Sequence, residues 1–172
     1  MGFLARNPGR KKIETREDAN AVAVVIEQQA TYPIFSNESV TWNNERIDGS
    51  YGGYAVVNGS IDIYESGTYN EITSYTYNDV NIEYHDYCSG ADFPTITGNA
   101  TMTGSITCES TLSGNIYSGN WYLNGSTTLS SANCSEETWA YDCSVSFNFT
   151  YPNDYEYSGS IISDGKTWYV SY

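Results

Sequence analysis

From Thr95 to Cys108 the chain alternates without a break for fourteen residues. The even positions are Ile96, Gly98, Ala100, Met102, Gly104, Ile106 and Cys108, while every odd position to Thr107 is Thr, Asn or Ser. Successive side chains of a strand point to opposite faces, so this pattern predicts a half-buried antiparallel strand with one dry and one wet face. Typical strands run about five or six residues. The stretch therefore reads either as one long twisted strand or as two strands in phase, with Gly98 and Gly104 marking bends or close backbone approach. Val145, Phe147, Phe149 and Tyr151 repeat the alternation, as do Ile61 and Ile63 around Asp62, which puts Tyr64 on the outer face.

Turn signals punctuate the series at Asn58-Gly59, Ser66-Gly67, Ser89-Gly90, Ser118-Gly119, Asn124-Gly125 and Asp164-Gly165. Asp164-Gly165, between Ile161-Ile162 and Trp168-Val170, is the strongest hairpin signal because both residues tolerate positive φ. The expected fold is all-β, an antiparallel meander closed as a barrel or a sandwich. A β-solenoid is the alternative, resting on recurrent Gly after Thr, Ser or Asn, but the spacing is irregular for a fixed coil. Ahead of the β region, Thr15 with Asp18 resembles a capping arrangement, and the apolar residues from Ala19 to Ile26 predict a short helix ending before Tyr32-Pro33. Val22, Val24 and Ile26 also alternate, which is the rival strand reading. The organisation is then a flexible basic arm over 1–14, a helix over 15–31 and an acidic β domain over 32–172.

The charge is split along the chain. The first sixteen residues hold Arg6, Arg10, Lys11, Lys12 and Arg16 against Glu14 alone, a net +4, while the other 156 residues set Arg46 and Lys166 against twenty acids, a net −18. An acidic body repels phosphate backbones, so no nucleic-acid partner is expected. Aromatic residues make up 15% of the chain, which argues against intrinsic disorder. No window approaches the roughly 18 consecutive apolar residues of a membrane-spanning helix.

Cys88, Cys108, Cys134 and Cys143 contain no Cys-x-x-Cys pair, which disfavours a zinc ribbon or a thioredoxin-type site. Two structural disulfides in an oxidising compartment are expected instead. Three pairings are open; Cys88–Cys108 with Cys134–Cys143 is preferred because sequential strands usually lie side by side. Met1-Gly2-Phe3-Leu4-Ala5-Arg6 supplies none of the apolar stretch of about seven or more residues that an export signal needs. Six Asn-x-Ser/Thr tripeptides permit glycosylation without implying it.

Little points to catalysis. The one histidine, His85, has Asp86 next to it, which on a strand faces the other way. Carboxylate pairs such as Asp62 with Glu65, Glu83 with Asp86, or Asp154 with Glu156 lie in polar surroundings that would not raise either pKa. An incidental calcium site is conceivable from the same acids, but neither an EF-hand loop nor a Gly/Asp array occurs. The expectation is a non-enzymatic protein with no cofactor and no metal. Trp42, Trp121, Trp139 and Trp168 are the candidate binding aromatics, suited to subunit interfaces first and to sugar stacking second.

The segment Asp18-Ala19-Asn20-Ala21-Val22, followed by strands and closing on Tyr157-Ser158-Gly159-Ser160-Ile161 to Asp164-Gly165-Lys166-Thr167-Trp168-Tyr169-Val170, resembles a loose group of Ser/Thr/Gly/Tyr-rich bacterial surface proteins, often lipoproteins. The likeness is compositional, over residues 15–172, and some proteins of this kind are thought to build extracellular tubes or fibres. Lipoproteins carry a Cys directly after an export signal, whereas the first cysteine here is Cys88. The function expected from all of this is a self-assembling subunit of an extracellular or cell-surface layer or filament. In that role Arg6, Arg10, Lys11, Lys12 and Arg16 would steer the basic arm onto the acidic body of the next copy. The alternative is a carbohydrate-binding or adhesin-type β module.

Overall fold

The computed structural model describes residues 9–10, 12–67, 71–91, 93–130, 139–151 and 156–171, with the backbone alone for 9–10, 139–151 and 156–158. A short strand β1 (Gly9–Arg10) precedes helix α1 (Arg16–Thr31), and a 3-10 turn (Tyr32–Ile34) follows it. Eight strands come next: β2 (Val40–Asp48), β3 (Tyr54–Ser66), β4 (Ile72–Tyr87), β5 (Thr95–Thr111), β6 (Gly114–Ser130), β7 (Trp139–Tyr151), β8 (Glu156–Ser163) and β9 (Lys166–Ser171). They pair antiparallel in simple sequence order from β2 to β9. Among the described residues no ladder joins β2 to β9, so this is one meandering sheet with two outer edges. β1 lies off that path and runs parallel to β7, Gly9 beside Trp139 and Arg10 beside Ala140.

The alternating stretch is one strand, β5, of 17 residues. Ile96, Ala100 and Met102 are buried as the period-two pattern requires, but beyond Gly104 the inner positions are only partly covered. Ile61 is buried beside exposed Asp62, and Tyr64 faces outward at 66% exposure. The side chains of β7 lie outside the described residues.

Three of the six turn signals are corrected, because Gly59, Gly119 and Gly125 sit inside strands. Gly119 opposes Ile106 and Gly125 opposes Ala100 across the β5–β6 ladder, where backbone of the neighbouring strand fills the space of a Cβ. Asp164-Gly165 is the expected two-residue hairpin, with φ of 51° and 74° matching the right-handed strand twist. The other non-glycine residues with positive φ, Asn44, Asp79 and Asp86, each fall where register slips in β2–β3 or β4–β5. Asn and Asp tolerate the left-handed region, so short polar side chains mark the bulges and sharpen the local twist.

Helix α1 forms where the capping signal placed it. The Thr15 hydroxyl accepts from the Asp18 amide at 3.1 Å and the Asp18 carboxylate accepts from the Thr15 amide at 2.9 Å. Those bonds hold the Asp18 carboxyl below its ordinary pKa. The buried face runs through Ala19, Val22, Ala23, Ile26, Gln29 and Ala30, whose small residues let the helix press close to the sheet. Its ends are tied to distant strands. At the start, Arg16 Nη2 donates to Ser171 Oγ at 2.8 Å, and the Asn20 carboxamide bonds both the amide and the carbonyl of Ser171 on β9. At the finish, Tyr84 Oη on β4 donates to the Ala30 carbonyl at 2.7 Å, and Gln29 exchanges two hydrogen bonds with Ser89. A 16-residue helix is about 24 Å long, and the five strand spacings from β4 to β9 also come to about 24 Å. The helix is thus a crosswise brace, and its residues share one core with those of the sheet.

Gly104 separates two effects of a glycine. Its φ is +111° and an added Cβ would meet the Asn120 carbonyl oxygen at 2.4 Å, whereas Gly114 at +125° has nothing within 4 Å. Urea denaturation should show Gly114→Ala losing about 1 kcal/mol, the conformational penalty alone. Gly104→Ala should lose about 3 kcal/mol or more through the added backbone clash. Equal losses would remove the close approach as a determinant of the fold.

Candidate functional site

β4, β5 and β6 are each 16 or 17 residues long, roughly 55 Å, and one helix crossing them covers only a band. Beyond that band the inner face stays open, and a groove of about 930 Å3 lies between the C-terminal end of α1 and the far halves of these strands. Tyr77 from β4, Met102 and Ile106 from β5 and Trp121 from β6 line the sheet side. The rings of Tyr77 and Trp121 sit 6.4 Å apart, tilted by 38°. Tyr32 and Phe35 from the segment after α1, with Phe93 from the β4–β5 connection, line the opposite side.

Among the described residues, Glu27 is the one acid on this groove. Its carboxylate is half-buried and makes no hydrogen bond or ion pair among the described residues, and desolvation pushes its pKa up to about 7. Apolar walls, a single strained ionisable group and a concave shape are the physical marks of a binding site. Neighbouring Thr31 does not neutralise it, since its hydroxyl donates to the Glu27 carbonyl instead.

A second, polar depression lies on the outer face of β2–β5. There Asn58 Oδ1 accepts from the Asn44 amide at 2.8 Å and Asn81 Oδ1 accepts from Thr101 Oγ1 at 2.9 Å, so the amides satisfy one another across strands. His85 stacks on Tyr54 at 4.5 Å and lies 3.1 Å from Glu83, while Asp86 takes a hydrogen bond from Thr97. Asp86, next to His85 in the sequence, is thus engaged by Thr97. Asp62 accepts from Asn78 at 2.7 Å. Among the described residues no three metal-ligating side chains gather, and no helix is long and apolar enough to cross a membrane.

The expected site residues are scattered. Trp42 and Trp121 belong to the core, 6% and 4% exposed, and Trp121 also lines the groove. Trp168 is half-buried with the Lys166 ammonium 3.4 Å over its ring, and the Trp139 side chain lies outside the described residues. The Cys88–Cys108 pairing is also corrected: both are free. Cys88 follows β4 beside the start of β5, where Tyr87 pairs Ile96, whereas Cys108 lies twelve residues farther along β5, roughly 40 Å away. A disulfide needs Cα atoms within about 7 Å. The Cys88 thiol instead donates to the Gly90 carbonyl at 3.1 Å. Cys134 and the Cys143 side chain lie outside the described residues, as do Arg6, Lys11, Asp154 and the side chains of Arg10 and Glu156. Lys12 is exposed, and Arg16 is held by Ser171.

The groove acid was missed although a signal for it exists. Glu27 sits four residues after Ala23 and three before Ala30, on the flank of the apolar stripe of α1. Comparison with family models, curated proteins and solved structures gave no match.

The raised pKa fixes a sign. An unfolded glutamate ionises near 4.5 and the folded one near 7, so the folded state binds the extra proton in that window and stability falls as pH rises through it. Glu27→Gln should match the parent near pH 4 and exceed it by about 1–2 kcal/mol at pH 8, the full shift being reduced for partial exposure. Denaturant titrations at the two pH values check this; no gain at pH 8 would contradict the desolvation.

Proposed function

We propose that this protein is a non-enzymatic, extracellular or cell-surface structural subunit that assembles with copies of itself. The observation that carries the reading is that Gly9–Arg10, within the basic arm, adds to the sheet as a strand on β7. An arm that can add to a sheet in its own chain can make the same addition in a neighbour, and head-to-tail exchange of that kind does not close on itself. Charge favours it, with a net +4 over the first sixteen residues and −18 over the rest.

The two sheet edges are unequal, which supports a direction for growth. β2 is blunted by its bulge at Asn44 and by Glu45, Arg46 and Asp48, a common defence against edge pairing. On β9 the hairpin register turns the backbone groups of Thr167, Tyr169 and Ser171 outward, and Asn20 occupies those of Ser171 alone. Among the described residues, Thr167 and Tyr169 are the edge open to another strand. The alternative, a carbohydrate-binding role, draws less support, because Trp42 lies in the core and Lys166 sits over the ring of Trp168.

Electron microscopy and light scattering of the non-reduced protein at low and high salt test the proposal. Ordered filaments or sheets are expected at about 0.02 M salt and their loss near 1 M, where the screening length falls to roughly 3 Å. Replacing Arg6, Arg10, Lys11 and Lys12 by Glu should abolish assembly while sparing Arg16, which the fold uses. A monomer at every salt concentration, or undiminished assembly of the charge-reversed variant, would overturn the reading.

A further inference from the structure

Among the described residues, the groove beneath the end of α1 is lined by an acid and by no base. None of these lining residues is Lys, Arg or His; the other ionisable side chains among them are Tyr32 after α1 and Tyr77 on β4, phenols that carry no positive charge in either form. β5 and β6 contribute Met102, Ile106 and Trp121, none of them titratable in the acid-base sense needed here. A half-buried carboxylate with no partner is unfavourable unless it is protonated or meets a cation. Aromatic side chains line the same groove, and the face of an aromatic ring carries a negative quadrupole that attracts positive charge. What the site lacks, on both counts, is a cation.

The surroundings restrict which cation fits. A metal ion needs several oxygen ligands, and among the described residues Glu27 is the only carboxylate on the groove. An apolar, aromatic lining also disfavours a strongly hydrated ion. An alkylated ammonium spreads its charge over methyl or methylene groups, loses little hydration and keeps apolar surface in contact with Met102 and Ile106. We propose that this groove binds a small organic cation of the alkylated-ammonium class, with Glu27 as counter-ion and the aromatic side chains as its cage. The proposal is independent of self-assembly, which involves the arm and the β9 edge.

Phenyltrimethylammonium and its uncharged isostere tert-butylbenzene are suitable probes, since they share shape and differ in charge. The probe's charge is permanent, so any pH dependence of binding belongs to the protein. Calorimetric and NMR titrations of the full chain at pH 8.5 should give the cation an advantage of about fivefold or more over the isostere. At pH 5, with Glu27 protonated, the advantage should shrink to near unity. Glu27→Gln should remove it at both pH values. That variant relieves desolvation and is expected to fold. Phe35→Ala, at a residue 80% exposed, tests the cage without disturbing the core and should reduce the advantage about two- to threefold. Equal binding of the two probes at pH 8.5, binding of neither, or an advantage that survives Glu27→Gln would overturn the assignment.

Discussion

The fold depends on a helix held at both ends across strands that are far apart in the sheet. At one end Arg16 and Asn20 grip Ser171; at the other Tyr84 and Ser89 grip Ala30 and Gln29. The ties at the second end satisfy polar groups that packing would otherwise strand, and the Gln29 amide, wholly buried, is tolerable only because Ser89 answers it twice. With the ends fixed, Ala19, Ala23 and Ala30 set how closely helix and sheet approach. Where the helix stops, coverage of the sheet stops, and the groove begins.

Much of the architecture was legible because it is written in short-range patterns. Period-two alternation located β5, the Thr15–Asp18 pair located the start of α1, and Asp164-Gly165 located the last hairpin. Glycine misled where its role is long-range. Gly59, Gly119 and Gly125 follow Asn or Ser just as turn glycines do, but each is required inside a strand by backbone crowding from a neighbour. Sequence spacing likewise misjudged Cys88 and Cys108, because a strand of 17 residues separates what adjacency in sequence seemed to join.

The candidate site was less legible for a related reason. Trp42, Trp121, Trp139 and Trp168 are the aromatics that the sequence offers for binding, yet whether a ring faces core or solvent depends on which side the helix covers. Glu27 belongs to no motif in the sequence. Its environment comes from Tyr77, Ile106 and Trp121, which lie 50 to 94 residues away in sequence. Desolvation is a property of the assembled fold, and only its weak trace, a position flanking the apolar stripe, survives in one dimension.

The brace also joins the beginning of the folding domain to its last strand. Asn20 and Ser171 are separated by 151 residues, so the contact that fixes the helix is among the most non-local in the molecule. At synthesis rates of about 5–20 residues per second, roughly 8–30 seconds pass between the emergence of the two. During that interval the hairpins from β2 onward can form from local contacts, while the apolar stripe of α1 waits without its final partner. The helix is made early and docked late, and the half-built sheet has an uncovered inner face to protect until β9 arrives.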